Sequence, residues 1–191
     1  MLLIDDHIND FDLDSALQQL SEQRRQQALR FRYELGQRSC ALAYLLLKRA
    51  LREEYGIMEN PVFEYGEHGK PTIAGHPEIF FNLSHCREAV ACAVSDKPVG
   101  IDVESVRSFK ESLVRYTMND EEVEQIMTAP RPEVAFIRLW TMKEARLKLT
   151  GEGINDNLKT VLNETDIKKY TTVECLERGY IYTVCESFTV I

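Results

Sequence analysis

The chain has 191 residues, 44% hydrophobic and 28% charged, which excludes a disordered chain and fits one domain or two small ones. Its 23 basic and 31 acidic residues give a net charge of −8, which excludes a general nucleic-acid binder, whose affinity rests on neutralising phosphates. The charge is uneven: the stretch from Arg24 to Arg52 is +7 and the rest −15, so that stretch is either a solvated basic helix face or a site for a small polyanion.

In chain order, Met1 to Ile4 predicts a short strand, and Asp14 or Ser21 is placed to cap helices through the basic stretch. Apolar spacing of three and four predicts a helix over Glu34 to Tyr55, stopped by Gly56. Short strands are predicted over Pro61 to Tyr65, Ile79 to Leu83, Ala89 to Val94 and Val99 to Val103. A turn spans Gly66 to Pro71, and Ser95-Asp96-Lys97-Pro98 predicts a hairpin. Val106 to Met127 predicts helix broken near Asn119, and a second long helix runs from about Pro132 to Leu149, ending at Gly151-Glu152-Gly153. Strands over Tyr170 to Cys175, Tyr180 to Cys185 and Ser187 to Ile191 finish the chain. Each half thus reads as a long helix followed by antiparallel strands, an α+β fold of two subdomains meeting near Gly100.

Five cysteines (Cys40, Cys86, Cys92, Cys175, Cys185) lack C-x-x-C spacing and read as reduced, buried residues. The histidines His7, His68, His76 and His85 are scattered and show no zinc pattern. The start lacks a basic signal-peptide region, and the run Ala41 to Leu47 is far short of the roughly 20 residues that span a bilayer. A cytoplasmic, membrane-free protein is expected.

Four segments carry chemistry. On a strand, Asp102 and Glu104 share one face ~6.6 Å apart, as magnesium ligands or as the polar side of an edge strand. On a helix, Trp140, Lys143, Glu144 and Lys148 form a strip ~12 Å long, facing a groove or seam or simply solvent. Phe80-Phe81-Asn82-Leu83-Ser84-His85 ends a hydrophobic strand in polar groups suited to phosphate or carboxylate, or in a merely satisfied histidine. Ser84 and His85 point to opposite strand faces and no G-x-S-x-G is present, so they are no nucleophile pair. Gly69-Lys70-Pro71 is a turn with one phosphate-sized charge; there is no Walker or G-x-G-x-x-G motif.

In this order the segments resemble the 4′-phosphopantetheinyl transferase superfamily, in its two-subdomain, surfactin-synthetase-activator type. The resemblance covers roughly residues 20 to 155 and rests on Gly69-Lys70-Pro71, Phe81-Asn82-Leu83-Ser84-His85, Gly100-Ile101-Asp102-Val103-Glu104, and Trp140 to Lys148 with Gly151 to Ile154. It implies two similar α+β halves, 1–99 on the coenzyme side and 100–191 on the metal side, related by a pseudo-twofold with the site at their seam. It implies a monomeric enzyme that uses Mg²⁺ to move the phosphopantetheine arm of coenzyme A to a serine of an acyl, peptidyl or aryl carrier protein, releasing 3′,5′-ADP.

Carried over by residue, the resemblance implies Asp102, Glu104 and Glu144 as metal ligands, with Asp102, Glu144 and Lys148 catalytic. It implies Gly69, Lys70, Pro71, Ser84, His85, Lys148 and the pair Arg38-Ser39 as coenzyme contacts. The proton acceptor is Glu144 or a metal-bound water. Two positions depart from the family: Gln23 and Gln26 flank Arg24 and Arg25 where relatives carry lysines, and a second-half acid is Glu121 or Glu122. Carriers of this family are usually acidic around their serine, so docking needs a basic or apolar patch; Phe109, Val114, Tyr116 and Met118 are expected to face the core. Alternatives are a non-catalytic coenzyme A or carrier-protein binding module of the same fold, and a magnesium-dependent phosphohydrolase. The carrier's pathway, and tolerance for acylated coenzyme A, stay open.

Overall fold

Two long helices organise the chain, each laid across one small antiparallel sheet. The computed structural model describes residues 1–66, 69–151, 153, 158–162 and 168–187, the first two of the last range by backbone alone. His68, Glu152, Ile154 and the expected terminal strand beyond residue 187 lie outside the described residues.

The first part contains β1 (Leu2–Asp5), α1 (Leu13–Gln18), α2 (Glu22–Leu29), α3 (Glu34–Tyr55), β2 (Phe63–Tyr65), β3 (Pro71–Ile73), β4 (Phe80–His85) and β5 (Val90–Ser95). The second contains β6 (Val99–Ser105), α4 (Glu111–Thr117), α5 (Asp120–Thr128), α6 (Pro132–Thr150), β7 (Lys168–Cys175) and β8 (Tyr180–Ser187). The sheets are ordered β1-β5-β4 and β6-β8-β7, so each runs first, last and penultimate strand of its part. β2 and β3 form a separate hairpin. The α+β class expected from the sequence is what the chain adopts. No helix among the described residues is long and apolar enough to cross a membrane.

Local chemistry explains most boundaries. Ser21 caps α2 by accepting the Arg24 N–H, as expected. The cap of α1 is Asp12, not Asp14: its carboxylate accepts the Ser15 N–H at 2.8 Å. Asn119 and Glu122 form a reciprocal capping box that starts α5 and breaks the helix where predicted. The residues from Val106 to Lys110 are not helical; Val106 N–H bonds the Gly179 carbonyl, adding one more rung beside the β6–β8 ladder.

The expected hairpin at Ser95–Pro98 is a crossover instead. β5 already has β1 on one edge and β4 on the other, so β6 has no edge of β5 to pair with and joins β8 in the second sheet. There it meets α6 closely. A Cβ at Gly100 would sit 2.0 Å from the Ala145 carbonyl oxygen and 2.5 Å from the Leu149 nitrogen, so only glycine lets α6 rest on β6. α6 is enclosed around nearly its whole girth, with only Arg138 and Thr150 exposed.

Candidate active site

The two sheets meet edge to edge at β4 and β6, and side chains replace the missing backbone ladder. Ile101 N–H donates to Asn82 Oδ1 at 2.9 Å, and Val103 N–H donates to Ser84 Oγ at 3.2 Å. Both contacts advance by two residues together, so the edges run parallel. Ser84 Oγ donates to Asp102 Oδ1 at 2.9 Å. From α6, Lys148 Nζ reaches the same Asp102 oxygen at 2.6 Å and Ser84 Oγ at 3.0 Å. One hydroxyl holds one donor and two acceptor positions, so Ser84 is fully used within the protein. It is buried as well, and in this arrangement it ties the seam.

Three carboxylates gather around this knot. Asp102 is 3% exposed and its Oδ2 is buried without a hydrogen-bond partner among the described residues; Glu144 Oε1 is in the same condition. Burial raises the Glu144 pKa, and the Asp102 and Glu104 charges raise it further against the pull of Lys148. Burial followed by the Asp102 charge also raises that of Glu104, while the nearby Trp140 indole and the Arg107 and Lys148 charges oppose the rise. Among the described residues no three His, Cys, Asp or Glu side chains converge into a ready-made metal cluster. Asp102 leans on Lys148 instead. The unmatched, mutually repelling hard oxygens still fit a divalent cation such as Mg²⁺.

On one side of the knot lies a cavity of about 280 Å³, bordered by Gly69, Lys70, Pro71, Asn82, Glu144, Leu147, Lys148, Gly151 and Gly153. The expected Gly69-Lys70-Pro71 turn therefore meets Glu144 and Lys148. Lys70 Nζ donates to the Leu149 carbonyl at 2.9 Å, and burial lowers its pKa. Its stem lies over Gly151, where a Cβ would approach Lys70 Cδ to 3.3 Å; that glycine also ends α6 in the left-handed conformation.

On the other side is a larger groove of about 600 Å³ that includes Glu104, Arg107, Phe109, Lys110, Leu113, Tyr116 and Trp140. Trp140 faces this groove, as the strip implied, and packs on Phe136. Val114 and Met118 are core residues as expected and Phe109 packs against the same core at the edge of the groove, but Tyr116 is 70% exposed.

Some expected site residues are elsewhere. Lys143 leaves the strip for the opposite side of α6 and is fully buried, bonding Glu122. That contact also gives Glu122 a structural place, beyond its part in the capping box. Arg38 is held by Glu34 and the Phe11 carbonyl, and Ser39 is buried in α3; neither borders the cavity. Nor is the +7 stretch one patch, since Lys48 bonds the Gln19 carbonyl and Arg49 pairs with Glu53. Of the arginines in that stretch, Arg24 carries a charge felt at His85. It lies over the Phe63 ring, bonds the Cys40 carbonyl, and keeps a buried Nε without a partner. His85 is exposed at the end of β4; partial desolvation lowers its pKa, and the Lys148 and Arg24 charges lower it further. Asn82 was visible in the motif but not singled out.

This α+β fold, with acids and a lysine at a seam between two sheets, is that of a family recognised by its sequence. A family model described as the 4′-phosphopantetheinyl transferase superfamily matches residues 98–187. The chain is 32% identical over 164 residues to 4′-phosphopantetheinyl transferase HetI of Nostoc sp., covering 80% of this chain and 69% of that protein. It is 30% identical to 4′-phosphopantetheinyl transferase gsp of Aneurinibacillus migulanus, covering 78% and 68%. Identity is 36% to 4′-phosphopantetheinyl transferase psf-1 of Bacillus pumilus, covering 74% of this chain. The chain belongs to the 4′-phosphopantetheinyl transferase superfamily. The match spans 62% of the length of psf-1 and of Sfp from Bacillus subtilis.

Proposed function

We propose that this protein is a Mg²⁺-dependent 4′-phosphopantetheinyl transferase that uses coenzyme A as substrate and an apo acyl, peptidyl or aryl carrier protein as acceptor. The observation that carries the reading is the Lys148–Asp102–Ser84 knot beside unmatched oxygens of Asp102 and Glu144, opening onto the Gly69–Pro71 cavity.

In the reaction the carrier serine oxygen bonds to the phosphorus that bears the pantetheine arm. The bond from that phosphorus to the nucleotide oxygen breaks, and 3′,5′-ADP leaves. Lys148, a cation with one face toward the cavity, stabilises the leaving oxyanion. Glu144 takes the serine proton. Asp102 holds Lys148 in place. Lys70 and His85, with the Arg24 charge felt at His85, supply positive charge or donors to the coenzyme phosphates, and the Gly69 and Pro71 backbone borders the nucleotide. Asp102, Glu104 and Glu144 would hold Mg²⁺, which when bound neutralises charge on the pyrophosphate.

The groove beside Glu104 suits the carrier: Phe109, Leu113 and Tyr116 are apolar, and Arg107 and Lys110 would face an acidic surface. The matching strand orders of the two sheets support reading 1–99 and 100–191 as similar halves about a pseudo-twofold.

Mass spectrometry of apo carriers incubated with coenzyme A and Mg²⁺ tests the reading. The expected result is a gain of one phosphopantetheine arm per carrier; no gain across several carriers of the same organism would overturn it. Glu144→Gln, with metal content matched, should lose most turnover; full activity would remove Glu144 from both of its roles.

A further inference from the structure

One polar side chain at the seam is not used by that chemistry. Asn82 is 8% exposed on β4, accepts the Ile101 N–H at 2.9 Å, and borders the cavity that holds Lys70, Lys148 and Glu144. Only the oxygen of a carboxamide accepts an N–H, so this bond decides which way round the group sits. The nitrogen, with two N–H donors, is the end left over. Among the described residues no acceptor is hydrogen-bonded to it, and it is not sealed in the interior.

We propose that Asn82 is a two-ended positioning and binding residue. Its oxygen pins β6 to β4, which sets Asp102 relative to Lys148. Its nitrogen donates to an acceptor oxygen on the phosphate portion of the ligand in the cavity. This second end rests on the coenzyme A reading above.

The residue type follows from the double task. An aspartate would hold Ile101 equally well, but would add a fourth carboxylate to Asp102, Glu104 and Glu144 and repel a phosphate. An alanine would leave the Ile101 N–H buried without a partner. A neutral group with an acceptor at one end and donors at the other satisfies both.

Two variants and two readouts separate the ends. Hydrogen exchange at the Ile101 amide reports the pin, and calorimetric binding of coenzyme A at saturating Mg²⁺, with no carrier, reports the donor. Asn82→Asp should keep Ile101 protected and weaken coenzyme A roughly tenfold or more, the worth of one hydrogen bond to a charged group. Asn82→Ala should lose Ile101 protection by about tenfold, the net worth of one such buried bond. Wild-type affinity in Asn82→Asp would overturn the donor end, and wild-type protection in Asn82→Ala would overturn the pin. A wild-type protein that bound no coenzyme A would overturn the transferase reading and the donor end together, while Ile101 protection would still decide the pin.

Discussion

Helix α6 carries two lysines five residues apart, Lys143 and Lys148, that point to different sides and end in opposite situations. Lys143 is fully buried and donates to Glu122 Oε2 at 2.7 Å, the Leu158 carbonyl at 2.6 Å and the Thr117 carbonyl at 3.2 Å. Three donors meet three acceptors, and the pair ties α4, α5 and α6 together with nothing left over. Lys148 bonds Asp102 and Ser84, keeps about a quarter of its side chain exposed, and sits among carboxylate oxygens that have no partner. Complete pairing marks a buried charge that serves the fold. Incomplete pairing beside a cavity marks one that serves a ligand.

Breaking each pair should therefore damage a different property. Lys143→Ala strands the Glu122 carboxylate and should cost roughly 3–5 kcal/mol of stability, the usual effect of removing one partner of a buried pair. Denaturant unfolding measures it; a loss under about 1 kcal/mol, typical of exposed pairs, would erase the distinction. Lys148→Ala, compared with Mg²⁺ present, should unfold less readily than Lys143→Ala. Its turnover should fall about 10²- to 10³-fold, as when one donor to a developing oxyanion is removed. Equal turnover for variant and wild type would take Lys148 out of the chemistry.

A subtler cut is Trp140→Phe, which keeps the ring packing on Phe136 and removes an indole N–H that shares the groove with Glu104 and is available to orient it. The Mg²⁺ concentration for half-maximal rate should rise by about tenfold at most, with the maximal rate largely retained. An unchanged metal requirement would show that Glu104 needs no such orientation.

The smallest effect is on pH. Burial raises the pKa values of Glu104 and Glu144, so the metal-free folded chain holds protons that the unfolded chain releases. Their contribution to stability therefore falls as pH rises from the ordinary carboxylate range through the raised values. Subtracting the Glu144→Gln profile from that of the wild type, with chelator present, isolates the slope. A difference that rose with pH instead would reverse the assignment.

How much of this was legible beforehand varied with the range of the interaction. The span of α3, the capped break at Asn119 and the start of α6 at Pro132 rest on neighbours in sequence, and the structure reproduces them. The partner of β6 is a strand some eighty residues later, and no local signal distinguishes that from a hairpin with β5. At the site, paired acids and a turn lysine stood out by residue type, and Lys70, Glu144 and Lys148 do share a cavity. What each polar group has left to offer was not legible. Ser84 looked free and is fully used, Arg38 looked free and is tied to Glu34, and Asn82 looked like part of a motif and proves half-occupied. Arg24 was one of several arginines in a basic stretch; which of them brings its charge to bear on His85 depends on how α2 packs against α3.

The seam between β4 and β6 has a consequence for how the chain must be handled. Among the described residues, each is an edge strand whose outer side is shielded by the other. A chain cut between Ser95 and Val99 would expose both edges at once, and bare strand edges recruit any extended segment they meet. The fragments would go to insoluble aggregate sooner than to two soluble domains. Each sheet is the other's protection against self-association, and the same edges that frame the site guard against it.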